Sequence, residues 1–302
     1  MMRYNVIPMS DKINKTVLMS GPDYFADTAA INAYMDSSVP IDIEAAQREH
    51  ELIKASLEKA GVKVEQVAPP KDCQDGVYTA NWALVRGDKA IMACVPNARE
   101  QEIPYAEQVL RDLGKKIIHP PKGYHFSGQG DALACGNYLF AGHGYRTDEA
   151  MHRFVAEQLG YNVVTLQAVP KLDDLGQPVT NKASGWADSF FYDIDLALSI
   201  LRAPTDGQNG LIAWCPEAFM PESQERMRAL PIEKIEVSLE EATQGFACNL
   251  VSTGETVVMS AHAPELKAAI EAYDLQVVTP DIQELAKGGG YIRCTTLTLD
   301  NA

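Results

Sequence analysis

No stretch of this 302-residue chain supplies the roughly 20 successive apolar residues that a membrane helix needs. The leading run MMRYNVIPMSDKINK lacks the apolar core and small-residue cleavage site of a secretory leader, so a cytoplasmic protein is expected. Basic residues are scarce: 26 Lys and Arg stand against 41 Asp and Glu, a formal net charge of −15. That balance argues against nucleic acid and anionic membrane surfaces as partners, since both require clustered cations. It also suits an ordinary soluble acidic surface.

Six cysteines stand far apart, at positions 73, 94, 135, 215, 248 and 294, and no CxxC pair exists. A zinc site built from thiols is therefore not expected, and in a reducing compartment these thiols stay free. His50, His119, His152 and His262 show no metal-ligand spacing, and no metal is expected. Glycine-rich nucleotide signatures are missing as well. The run GGGY at 288–291 is not followed by a helical pattern, which argues against a phosphate cradle, and no cofactor is expected.

What the chain does contain is a repeated order of elements. Its apolar fraction of 46% and charged fraction of 22% are ordinary for a globular core. Apolar spacing predicts a helix over 43–60, stopped by Gly61, between strands at 15–20 and 62–67. Two strands joined at Arg86–Asp88, a helix over 103–113 and a strand at 115–119 follow. The same order returns from 131, from 195 and from 246, and the run 291–299 begins a fifth unit. The N-terminal strand and helix complete that unit if the chain closes on itself. A supersecondary unit repeated several times points to a radial or stacked α/β repeat. A doubly wound sheet competes, but it expects one strand per helix rather than hairpins between helices. No linker divides the chain, so residues 1–302 read as a single domain.

The runs GPDYF, INAYM, VYTANWAL, PNAREQE, GQGDAL, GHGYRT and FYDIDLAL, with a terminal GGGYIRC, together resemble the pentein superfamily of guanidine-modifying enzymes. That superfamily includes arginine deiminases, dimethylarginine hydrolases, amidinotransferases and arginine dihydrolases. The resemblance covers nearly the whole chain. It implies an α/β-propeller of five pseudo-symmetric ββαβ repeats around a central pocket that takes a small cationic guanidino substrate. It implies that Cys294 attacks the guanidino carbon and that Asp195 binds the guanidino nitrogens. Asn81 falls at a polar guanidino contact. Arg146 and Arg99 match arginines that hold an amino-acid carboxylate, Asp131 matches a retained aspartate, and Asn32 and Asp23 are carried over from the N-terminal motifs.

Two positions depart from the pattern. The family writes a histidine where this chain has Asp193, and a supporting glutamate where it has Ser127. Histidine ordinarily shuttles the protons of such a reaction, because its ordinary pKa lies near neutrality. A carboxylate takes over that role only if burial and a second carboxylate keep a proton on the pair. Read as alternate residues of a strand, Asp193 and Asp195 point to one face and could form such a pair.

Three readings remain open at this stage: a guanidino-group hydrolase or transferase using Cys294, Asp193 and Asp195; a catalytically silent member that binds a cationic ligand or protein; and an enzyme with an altered substrate. The bland alternatives are a buried filler thiol at Cys294, two exposed acids, and a surface Arg146 beside a helix capped by Thr147. His143 and His125 stand near pocket motifs and are candidates to replace the missing base in space. Trp186 is a candidate pocket wall. A homo-oligomer is compatible with these features.

Overall fold

A computed structural model describes residues 12–95 and 97–301. The leading residues read above for a leader, up to 11, lie outside the described residues. The described chain forms β1 (Thr16–Ser20), α1 (Ile43–Lys59), β2 (Lys63–Val67), β3 (Ala83–Arg86), β4 (Lys89–Met92), α2 (Ile103–Asp112) and β5 (Lys116–Ile118). Then come β6 (Ala132–Cys135), β7 (Tyr138–His143), α3 (Ala150–Leu159), β8 (Asn162–Gln167), β9 (Leu198–Arg202), β10 (Leu211–Trp214), α4 (Pro221–Ala229) and β11 (Glu233–Glu236). The last part holds α5 (Leu239–Gln244), β12 (Val251–Ser252), β13 (Thr256–Val258), α6 (Pro264–Glu271), β14 (Gln276–Val278) and β15 (Leu297–Thr298).

The strands make five three-stranded sheets: β3-β4-β5, β6-β7-β8, β9-β10-β11, β12-β13-β14 and β15-β1-β2. In each, the first two strands pair antiparallel and the second and third pair parallel. The parallel step requires a crossover, and a helix supplies it each time. The unit is therefore ββαβ, five times over, in the pentein arrangement.

Burial follows sheet position. The first and second strands are almost wholly buried, as in LSIL and LIAW of the third sheet, whereas third strands such as β2 and β14 are partly exposed. Inner strands of successive sheets pack on one another: β9 against β6 and β12, and β15 against β3. The fifth sheet joins the two ends of the sequence, with Val17 opposite Thr298 and Leu18 opposite Leu297. The Asp300 carboxylate accepts from the backbone N–H groups of Lys15 and Thr16, both at 3.1 Å.

Helix α1 shows why the sequence reading succeeds where periodicity is strong. Ala46, His50, Ile53 and Leu57 form its buried stripe, Asp42 caps its N-terminus through Ala45 N–H, and Gly61 at φ +88° follows its end. Two expectations need correction. The run 291–299 is a strand only at Leu297–Thr298, and Cys294 sits in the turn before it. The DID run is not a strand either: extended Asp193 leads into a short 3-10 turn at Ile194–Leu196.

Candidate active site

Short turns at the entries to the inner strands carry the site. The turn Thr79–Asn81 precedes β3, Gly128–Gly130 precedes β6, and Ile194–Leu196 precedes β9. Asn249 stands two residues before β12, and Cys294 three residues before β15. Each of the five units thus delivers a polar residue to the same end of the ring.

The Cys294 thiol is 3% exposed and lies 3.4 Å from Asp195 Oδ2. Asn249 Nδ2 donates to its sulfur at 3.2 Å, and Asn249 Oδ1 accepts from Cys294 N–H and Tyr291 N–H, both at 3.1 Å. One asparagine therefore holds both the sulfur and the backbone of its turn. Burial first, and then the Asp195 carboxylate, push the thiol well above its ordinary value in the ligand-free site. Burial and the Asp193 charge push the Asp195 carboxyl up to about 8.

Asp193 and Asp195 are both wholly buried. Asn81 Nδ2 donates to Asp193 Oδ2 at 2.8 Å and to the Ser127 hydroxyl at 3.0 Å. Arg146 Nη1 approaches Asp193 Oδ2 at 3.7 Å, while its guanidinium lies 3.9 Å above the Tyr192 ring. The second oxygens, Asp193 Oδ1 and Asp195 Oδ1, are buried without a hydrogen-bond partner among the described residues. Buried carboxylate oxygens without donors are costly, and a donor-rich cation would satisfy them.

The remaining expected residues divide. Asp131 Oδ1 accepts from Ile194 N–H at 3.1 Å, so it anchors the turn that carries the two acids. Asn32 donates to Gly288 O at 2.9 Å and accepts from Tyr34 N–H, which ties the N-terminal loop to the glycine run. Gly289 adopts φ +85°, and a Cβ there would collide with Asn32, so glycine is required by conformation and by space.

Arg99 and Asp23 are corrections. Arg99 is 2% exposed, and its Nε, Nη1 and Nη2 donate to Glu102, to Asn81 and to the carbonyls of Asp75 and Tyr78. Every nitrogen of this guanidinium therefore already donates to a protein group. Asp23 is exposed and accepts from Gln47, on the outer face of α1.

No histidine joins the acids. His125 packs against Trp186 with the rings tilted at 60° and pairs with Asp148, and both His125 and Trp186 lie outside the hydrogen-bonded cluster. His152 bonds Thr165 and Gly142 O, and His143 packs on its ring. His119 and His262 pair with surface acids, and His50 belongs to the buried stripe of α1. Among the described residues no group of His, Cys, Asp and Glu could hold a metal ion.

Sequence reasoning missed several neighbours. Asn249 is one, and its place before the fourth inner strand was its available signal. Arg293 is another: it donates to Thr298 and to Gln129 Oε1 (2.8 and 2.9 Å), beneath the cysteine turn. Tyr34 is a third. Its hydroxyl is buried with no partner among the described residues, and burial followed by the nearby Cys294 raises its pKa. Its ring packs on Phe190 and Phe246 and borders an apolar cleft with Val169, Pro170 and Phe191.

Known proteins resemble this architecture and sequence. The family model for eukaryotic N,N dimethylarginine dimethylhydrolase matches residues 22–179. The N(G),N(G)-dimethylarginine dimethylaminohydrolase of Mycobacterium tuberculosis (strain ATCC 25618 / H37Rv) is 33% identical over 284 residues, covering 93% of this chain and 84% of the relative. The bifunctional arginine dihydrolase/ornithine cyclodeaminase AgrE of Nostoc sp. (strain PCC 7120 / SAG 25.82 / UTEX 2576) is 28% identical across 93% of this chain, but only 37% of AgrE is covered. Among solved structures, the N-terminal domain of ArgZ, a cyanobacterial arginine dihydrolase, bound to substrate as a cysteine-to-serine variant, superposes with a TM-score of 0.82. That match is 26% identical and covers 95% of this chain and 98% of the other. The chain belongs to the dimethylarginine dimethylaminohydrolase family, within the pentein superfamily of guanidine-modifying enzymes.

Proposed function

We propose that this protein hydrolyses the guanidino group of arginine or a closely related small guanidino compound, with Cys294 as the nucleophile. One observation carries the reading. The buried Cys294 thiol lies 3.4 Å from Asp195 Oδ2, and the other Asp195 oxygen and Asp193 Oδ1 are buried without a hydrogen-bond partner among the described residues. A planar guanidinium supplies a fork of N–H donors for those oxygens and presents its carbon to the sulfur. Its positive charge also offsets the acids that hold the thiol protonated, so the nucleophile forms when substrate binds.

The steps then balance. The Cys294 thiolate forms a C–S bond at the guanidino carbon. The C–N bond to the departing amine breaks, and the amine leaves with the proton that the thiol gave to the Asp193–Asp195 pair. Water adds to the S-bound amidino carbon, giving one proton to the acid pair for the sulfur and a second to the released amine, and the C–S bond breaks. The ureido product leaves, and the thiol recovers its proton. The acid pair takes the place of histidine, since burial and the Asp193 charge raise the Asp195 carboxyl to about 8 and keep a proton on it. Arg146 is the group that would take a substrate carboxylate. The closed ring supports reading residues 1–302 as one catalytic domain.

The missing imidazole favours a second reading, in which the site binds a cationic ligand without turning it over. Assays with arginine, agmatine and methylated arginines separate the two. Release of ammonia or methylamine, abolished by Cys294→Ala, is the expected result. Ligand binding by calorimetry without any turnover would instead establish the silent binder. Neither binding nor turnover would remove both readings.

A further inference from the structure

We propose that Glu102 and Arg99 are positioning residues that fix which end of the Asn81 side-chain amide meets Asp193. The proposal rests on the reading above only in taking Asp193 as part of the reactive site. Asn81 can present either an oxygen acceptor or an NH2 donor to the buried acid. Arginine has no acceptor. Arg99 Nη1 lies 2.7 Å from Asn81 Oδ1, so the oxygen is held on the arginine side and the NH2 turns to Asp193 Oδ2 at 2.8 Å.

Arg99 is itself immobilised. Its Nε and Nη2 meet the two Glu102 oxygens at 2.9 and 2.8 Å in a bidentate pair, and Trp82 Nε1 donates to Glu102 Oε2 at 3.1 Å. Arg99 and Glu102 are 2% and 1% exposed, so water does not loosen the fork. The chain Glu102–Arg99–Asn81–Asp193 thus carries orientation from the 3-10 turn at Asn97–Glu102 to the site. The Ser127 carbonyl also accepts from Asn81 Nδ2, at 3.0 Å, and retains part of that orientation when the clamp is removed. The expected effect is accordingly moderate.

A double-mutant cycle tests the clamp. Arg99→Met with Glu102→Met removes both buried charges together, a change that buried pairs often tolerate, and a thermal melt confirms folding. Turnover and the iodoacetamide alkylation rate of Cys294, read by mass spectrometry of its peptide, are each compared in wild-type and Asn81→Ala backgrounds. We expect the clamp variant to change both rates by about tenfold in wild type and by less than about twofold in Asn81→Ala, because the clamp acts only through Asn81. Equal effects in the two backgrounds, or a folded clamp variant that behaves as wild type, overturn the proposal. If the double variant does not fold, Arg99→Lys enters the same cycle, since lysine keeps the charge but lacks the planar fork. A KM rise for arginine with none for agmatine would return Arg99 to ligand duty and also overturn it. Absence of turnover in the wild type would defeat the functional reading, while the alkylation cycle still decides this one.

Discussion

Replacing Asn249 by alanine removes the side chain that ties the cysteine turn to the turn carrying Asp195. Asn249 is fully buried, and its amide makes four contacts: Oδ1 with Tyr291 N–H and Cys294 N–H, and Nδ2 with Cys294 Sγ and Asp195 O. Alanine leaves two backbone N–H groups in the core without their acceptor. Each such orphan costs about 1–3 kcal/mol, so the variant should lose about 2–6 kcal/mol of stability. Asn249→Asp separates the stability term from the chemistry. An aspartate oxygen can still accept from both N–H groups, which preserves the turn, but its other oxygen replaces the N–H donor facing the sulfur. Urea unfolding should therefore show a large loss for alanine and a smaller one for aspartate. Alkylation of Cys294 should slow in the folded aspartate variant, because a thiolate there would meet another acceptor instead of a donor. An alanine variant within about 0.5 kcal/mol of wild type, the range of an ordinary surface change, would refute the reasoning.

Asp195 sets a pH dependence. Its carboxyl is raised from 3.8 to about 8 in the folded protein, so the unfolded chain gives up that proton first as pH rises. The stability it contributes is complete below about pH 4 and is lost as the pH climbs to about 8. Urea midpoints of Asp195→Asn measured at pH 4.5 and 7.5 should differ less than those of wild type, and an equal or larger difference would contradict this. Arg146 has a charge 3.7 Å from Asp193 and lies next to the proposed guanidino site. Arg146→Met should raise KM for arginine by about 10- to 100-fold, the range of a charged hydrogen bond, and leave KM for agmatine nearly unchanged. Equal losses for both substrates would assign Arg146 to holding Asp193 instead.

The repeat order was legible because hairpins, amphipathic helices and a closing parallel strand each leave a periodic trace. The site residues left weaker traces. Asn81 and Asp195 sit in three-residue 3-10 turns, and Asp193, Asn249 and Cys294 in irregular chain or turns, all too short for any apolar period, and so the DID run passed for a strand. Alternation was the wrong reason for bringing Asp193 and Asp195 together. Asp131, bonded to the Ile194 N–H between them, is the observed one. Asn81 and Asp193 are 112 positions apart, and no local pattern announces that contact. Arg99 and Glu102 are three apart, a spacing at which a pair was readable, but a motif that suggested ligand binding obscured it. Asn249 was reachable through the repeat itself, as the fourth-unit counterpart of the position that Cys294 holds in the fifth.

The fifth sheet has a consequence for the order of assembly. Its strands come from opposite ends of the sequence, and the sulfur-bearing turn leads directly into the strand that completes it. The strands of the other four sheets and both acids all precede the sulfur in the sequence. The site is therefore complete only when β15 pairs with β1 and the turn before it carries Cys294 to Asn249 and Asp195.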